Sequence, residues 1–162
     1  MKARTATGIP IGALLVALLG ACGEHRFEPP DREARVADAD TAFNTVHFDT
    51  VAWESDSIRA LQGNVVYSAR CRQCHGSLGR GGTEYAAERN LPVPSLVDSS
   101  RELADSFEEV RHRIFVGHAS GMPTWGVAGI SPREIDAAAY YVVFQLRPEV
   151  LGGEGPGTGG SR

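Results

Sequence analysis

Cys71-Arg72-Gln73-Cys74-His75 is the feature that most narrows what this chain can fold into. Two thiols stand three positions apart, and an imidazole follows the second at once. The residues after it, "GSLGRGGTEYAAERNLPVPSL" (76–96), read mostly as loop, with a short helix expected from Glu84 to Arg89. A second irregular stretch, "GHASGMPTWGVAG" (117–129), is punctuated by glycine and proline. Long loops without secondary structure normally count against a compact small domain. A chain built this way needs something large to pack around.

Helical patterning surrounds those loops. Asp56-Ser57 supplies good N-cap residues, after which Ile58, Leu61 and Val65 form one apolar stripe. Gly63, Tyr67 and Cys71 repeat at i+4 along the same helix. Glycine inside a helix costs about 1 kcal/mol relative to alanine, so Gly63 predicts close approach by another backbone. Asp105 precedes a stripe of Phe107, Val110 and Ile114, stopped by Gly117. The last helix is the best marked: Ser131-Pro132-Arg133-Glu134 combines a capping box with proline at the first helical position. Ile135, Ala138, Val142 and Leu146 make its buried face, and Pro148 is expected to follow its end. The fold class expected is therefore all-α, with three main helices joined by long loops.

The N-terminus reads as an export device. Lys2 and Arg4 precede an apolar run from Ile9 to Leu19, which is too short for a membrane span of about 20 residues and fits the apolar region of a signal peptide. Leu19-Gly20-Ala21-Cys22 resembles a bacterial lipobox, whose cysteine is lipidated and becomes the mature N-terminus. The organisation expected is a signal at 1–21, a flexible tether at 22–55, the folded domain at 56–150 and a disordered Gly-rich tail at 151–162. A tether of about 30 residues has an end-to-end distance of roughly 30 Å. The whole chain carries a formal charge of −4 and no basic stripe, so a nucleic-acid partner is not expected. An acidic mature chain is expected to dock on a basic patch, with rates that fall as salt rises.

With Cys22 assigned to lipid, Cys71 and Cys74 are the only thiols left. Three uses compete for them. A thioredoxin-like redox pair belongs in a strand–turn–helix setting, and no such strands are patterned here. A structural zinc site wants four ligands, typically two separated pairs, and there is no second pair. C-x-x-C-H is the attachment pattern of c-type haem, where two thiols form thioethers and the adjacent histidine reaches the iron. Covalent haem also suits an exported chain, so haem c held by Cys71, Cys74 and His75 is the expected cofactor.

A second axial ligand is then expected downstream. Met122, in "SGMPTWG", is the only methionine besides the initiator. His118 is its rival, lying in the same loop just after the helix-ending glycine. His25 and His47 are expected to be solvated, and His112 to lie on a polar helix face. Tyr85 and Tyr140 read as packing residues and Arg80 as a surface residue.

Taken together, the pattern from about Ser57 to Arg147 resembles the class I c-type cytochromes, single-haem electron carriers with a small all-α fold wrapped around one covalent haem. In that family a glycine and an aromatic on the helix leading into the haem motif, here Gly63 and Tyr67, contact a small residue and an aromatic on the C-terminal helix, here Ala138 and Tyr141. The resemblance implies that Met122 is the axial thioether. It implies that Pro94, or its neighbour Pro92, offers a carbonyl to the ring N–H of His75. It also implies that Trp125 lies near the haem edge.

The function expected is transfer of single electrons between membrane respiratory or dehydrogenase complexes, from the periplasmic side of a bacterial membrane and anchored by lipid at Cys22. No small-molecule substrate and no enzyme activity are expected. The alternatives are a fixed haem subunit of a larger oxidase or dehydrogenase, and a gas-binding or peroxidase-like protein with a labile Met122.

Overall fold

The computed structural model describes residues 31–98 and 106–152. The signal region, Cys22, Asp105 and the tail from 153 lie outside the described residues. Within them the protein is helical, and the one β-type pairing is an isolated bridge between His118 and Met122. No described helix is long and apolar enough to cross a membrane.

The helices, in chain order, are α1 (Arg32–Ala42), α2 (Asp56–Val66), α3 (Arg72–His75), α4 (Glu84–Glu88), α5 (Phe107–Val116), α6 (Trp125–Ala128), α7 (Pro132–Tyr141) and α8 (Arg147–Gly152). Widened π turns, Tyr67–Cys71 and Val142–Leu146, join α2 to α3 and α7 to α8. Local chemistry sets several starts. Ser55 caps α2 in place of the expected Asp56 or Ser57, which lie inside the first turn; its side chain accepts from the Ile58 amide, and that of Ser106 accepts from Glu109. At α7 the capping box forms in full: Ser131 accepts from the Glu134 amide, and the Glu134 carboxylate accepts from the Ser131 N–H at 2.8 Å.

The core is organised by the crossing of α2 and α7. A β-carbon added at Gly63 would lie 2.1 Å from the carbonyl oxygen of Ala137 and 2.6 Å from the β-carbon of Tyr141. Glycine is therefore the residue that lets the two backbones meet. Beside the crossing, Tyr67 tilts against Tyr141 at 5.4 Å between ring centres, and its hydroxyl donates to the Gly76 carbonyl at 2.7 Å. Ile135, Ala138, Val142 and Leu146 are all buried, as their spacing predicts. Each large aliphatic side chain so buried stabilises the fold by about 1.5–3 kcal/mol.

Three further expectations are corrected. First, Ile58, Leu61 and Val65 do not form the buried face of α2; they are 42%, 62% and 56% exposed. The buried face is Gly63, Val66 and Tyr67, because α7 approaches on the side where glycine leaves room. Second, the expected tether is folded from Asp31 onward. The Asp31 carboxylate caps α1, Ala39 is buried, and Phe43 and Phe48 pack on the core. Its attachment lies in these two aromatics after the helix, so α1 shows little apolar periodicity of its own. Third, Pro148 does not end the last helix, which continues to Gly152 into the stretch expected to be tail. The π turn before α8 gives proline a first-turn position, where a missing N–H costs little.

Candidate functional site

The chain enters the Cys-x-x-Cys-His segment through the π turn Tyr67–Cys71, a wide turn that is rare and concentrated at functional sites. Helix α3 then carries Cys74 and His75 and ends at Gly76. Both cysteines are free thiols, and both line the same cavity as His75. Burial pushes the Cys71 thiol up to about 12, with Cys74 beside it adding to the shift. Reactive cysteines sit in surroundings that lower the thiol pKa, and burial does the reverse at Cys71. Among the described residues no group of three or more His, Cys, Asp or Glu is gathered to hold a metal ion, so a zinc site lacks its remaining ligands.

The glycine-rich loop after His75 folds back onto it. The Gly81 amide donates to the His75 carbonyl at 2.8 Å, and the Leu96 amide donates to the Gly79 carbonyl at 2.7 Å. Gly81 has φ +71°, and a β-carbon there would lie 2.8 Å from the Val93 carbonyl oxygen. Only glycine lets the 93–96 segment come this close. The Pro94 carbonyl is thereby set against the imidazole. Burial lowers the basicity of His75 and the Pro94 carbonyl raises it, though buried Nδ1 has no partner in full hydrogen-bond geometry. Pro92 and Pro94 both line the cavity, and Pro94 is the one whose carbonyl acts on the ring.

Met122 enters the cavity from the loop between α5 and α6. The His118 amide donates to the Met122 carbonyl at 3.0 Å, which closes that loop into a tight turn. His118 also lines the cavity, but it is exposed and its Nδ1 accepts from the Ser120 amide at 3.1 Å. Trp125 lines the wall as well, with Arg70 over its ring at 5.8 Å.

The cavity holds about 790 Å³, and Val110, Ile114, Ala138 and Val142 of the buried core supply apolar wall. Protein interiors are close-packed with few voids larger than water. This hollow, apolar toward the core and partly open at the surface, falls in the range of roughly 300–1,000 Å³ found for small-molecule and cofactor sites. Two thiols, an imidazole and a thioether on its wall, with apolar surface between, fit a haem attached by thioethers and ligated through nitrogen and sulfur.

The remaining residues lie apart from it. Tyr85 lies under Arg89, and Tyr140 packs on Phe144 and under Arg59. Arg80 is exposed, and so is His47, which stacks on Phe115. His112 pairs with Asp40 of α1 at 2.8 Å. Sequence reasoning missed Asp136, which is 2% exposed. Its carboxylate accepts from Arg59 at 2.7 and 2.8 Å, from Trp53 at 2.7 Å and from Arg111 at 3.2 Å. The one available signal was a lone acid on an otherwise apolar helix face.

An all-α fold crossing at a glycine, with a Cys-x-x-Cys-His turn and a methionine loop on one core cavity, defines a c-type cytochrome domain. Residues 59–142 match the family described as cytochrome c oxidase, cbb3-type, subunit III, and the chain belongs to that family. No solved structure matches the chain.

Proposed function

We propose that this protein carries single electrons for a membrane respiratory complex on one haem c, which Cys71 and Cys74 would hold covalently and whose iron His75 and Met122 would ligate. The observation that carries the proposal is the convergence of these four side chains on one core cavity of about 790 Å³. Haem c, when bound there, supplies reversible one-electron Fe(II)/Fe(III) chemistry. The chain does the rest. The two thiols would fix the group covalently; the Gly81 amide holds the His75 carbonyl, and the Pro94 carbonyl stands where it would take the ring N–H of His75 once the ring is ligated. Met122 offers a neutral thioether, which favours the ferrous state relative to a second histidine. The apolar wall from Val110 to Val142 keeps water away and works in the same direction.

Two protein ligands leave no position for a substrate, so the role is transfer and not catalysis. The family description names an oxidase subunit, which favours a fixed or peripheral place in such a complex. The lipobox-like Leu19-Gly20-Ala21-Cys22 supports a position on the periplasmic side of a bacterial membrane, with Cys22 as the lipid anchor.

The test is optical. Wild-type protein loaded with haem should be low-spin, show the weak long-wavelength band of a thioether on ferric haem, and leave carbon monoxide unbound when reduced. Met122→Ala should lose the band and bind carbon monoxide. A wild-type protein that is high-spin and takes up carbon monoxide readily would overturn the carrier reading in favour of gas binding or peroxidase-like chemistry.

A further inference from the structure

Residues 31–48 precede the family-matched region, which begins at residue 59, and they are packed against the element that leads into the Met122 loop. We propose that this segment is a brace that holds Met122 in place, with Phe43 as its positioning residue; the inference rests on Met122 being the axial ligand. Phe43 stands edge-on to Phe115 of α5, with 5.3 Å between ring centres and 78° between planes. It is edge-on to His112 as well, at 4.6 Å. Asp40, one turn earlier, takes His112 at 2.8 Å, and His47 stacks on Phe115 at 5.9 Å. Phe115 therefore has the brace on one side.

The loop region lies against the same ring. A β-carbon at Gly126 would lie 2.2 Å from the Phe115 ring, so α6, which begins three residues after Met122, rests directly on that ring. A β-carbon at Gly117 would lie 2.7 Å from the Met122 carbonyl oxygen, which ties the end of α5 to the Met122 backbone. At the far end of the brace, the Arg32 guanidinium lies 3.7 Å from where a β-carbon of Gly121 would stand. Ring contacts thus lead from Phe43 to Phe115 and on to α6 after Met122, and Arg32 of α1 comes near Gly121 just before it.

A thioether is a weak, neutral ligand, so its hold depends on how little its loop can retreat. Groups that orient a metal ligand typically change metal affinity by about 10–100-fold when altered. An added ligand competes only with molecules whose Met122 has let go, so its apparent dissociation constant scales inversely with that open fraction. Loosening the brace raises the open fraction without touching any residue on the cavity wall; neither Phe43 nor Phe115 lines it.

The experiment titrates ferric, haem-loaded protein with imidazole and follows the spectrum. Phe43→Ala should tighten apparent imidazole binding about tenfold and weaken the thioether band. In a Met122→Ala background the same change should have no further effect. Val150→Ala, which opens a buried site in α8 away from the loop, should lower stability and leave imidazole affinity unchanged. If Phe43→Ala does not accumulate, Phe43→Leu keeps apolar volume, loses the edge-on ring contacts and should shift affinity in the same direction. An unchanged affinity in the Phe43 variant that does accumulate, while Met122→Ala alone tightens it, overturns the brace and leaves Met122 ligation standing. If Met122→Ala does not change imidazole affinity either, the ligation reading fails and the brace fails with it. An equal shift in Val150→Ala reduces the effect to general loss of stability and also overturns the proposal.

Discussion

Replacing Gly63 with alanine tests the helix crossing on which the cavity depends. The added methyl would sit 2.1 Å from the Ala137 carbonyl oxygen, and ordinary contact begins near 3.4 Å. The obstacle is backbone, so no rotamer change relieves it, and α2 and α7 must part by more than an ångström. A gap of 0.5–1 Å already forfeits about a quarter to a half of each dispersion contact across it. Overpacking of this kind costs about 3 kcal/mol, and the gain in helix propensity returns about 1 kcal/mol. The net loss expected is about 2 kcal/mol. With a slope of about 2 kcal/mol per molar urea for a domain of this size, the unfolding midpoint of the haem-loaded protein should fall by about 1 M at unchanged slope. A midpoint that stays in place or rises would show that the helices do not meet at Gly63.

Asp136→Asn should destabilise the protein by about 3 kcal/mol in the same assay, because Arg59 and Arg111 would keep buried charge with no carboxylate to meet it; a loss below about 1 kcal/mol would contradict that network. Ser131→Ala should cost about 1 kcal/mol at neutral pH. The Ser131 N–H, which the alanine variant keeps, and the Ser131 hydroxyl, which it loses, both lower the Glu134 pKa. The hydroxyl's share of the stabilisation is fully present above the ordinary glutamate value of about 4.3 and is lost as pH falls through the lower folded value, while the cap bond from the Glu134 amide to the Ser131 oxygen stays. The gap between wild type and Ser131→Ala should therefore narrow in acid, and a gap that widens there would refute the assignment. Cys22→Ala should move the protein from the membrane to the soluble fraction with its haem spectrum unchanged, since two acyl chains hold stably where one is marginal. Protein that is already soluble before the change would refute lipidation.

Much of the fold around the candidate site was legible because its chemistry is local. Ser131 and Glu134 cap their own helix, and Gly63 stands out because no other reason for a glycine in a helix was at hand. What was not legible depends on partners distant in sequence. Asp136 is buried only because Trp53, Arg59 and Arg111 converge on it from three separate segments. Helix α1 has one buried residue, Ala39, and its hold comes from Phe43 and Phe48 beyond its end, so polar patterning read as a tether. On α2 the apolar stripe of Ile58, Leu61 and Val65 pointed to the wrong face, since the approach of α7 is set by the absence of a side chain at Gly63. Pro148 read as a stop because a π turn has no strong sequence mark.

The proposed function requires Cys71 and Cys74 to bind one haem covalently. Intact-mass measurement under denaturing conditions, on protein matured in a host able to attach haem c, tests it most directly. All mature protein should carry the mass of a single haem through denaturation, and the Cys71→Ala, Cys74→Ala double variant should carry none. A wild-type chain that appears at its bare mass, or with haem lost on unfolding, would contradict it.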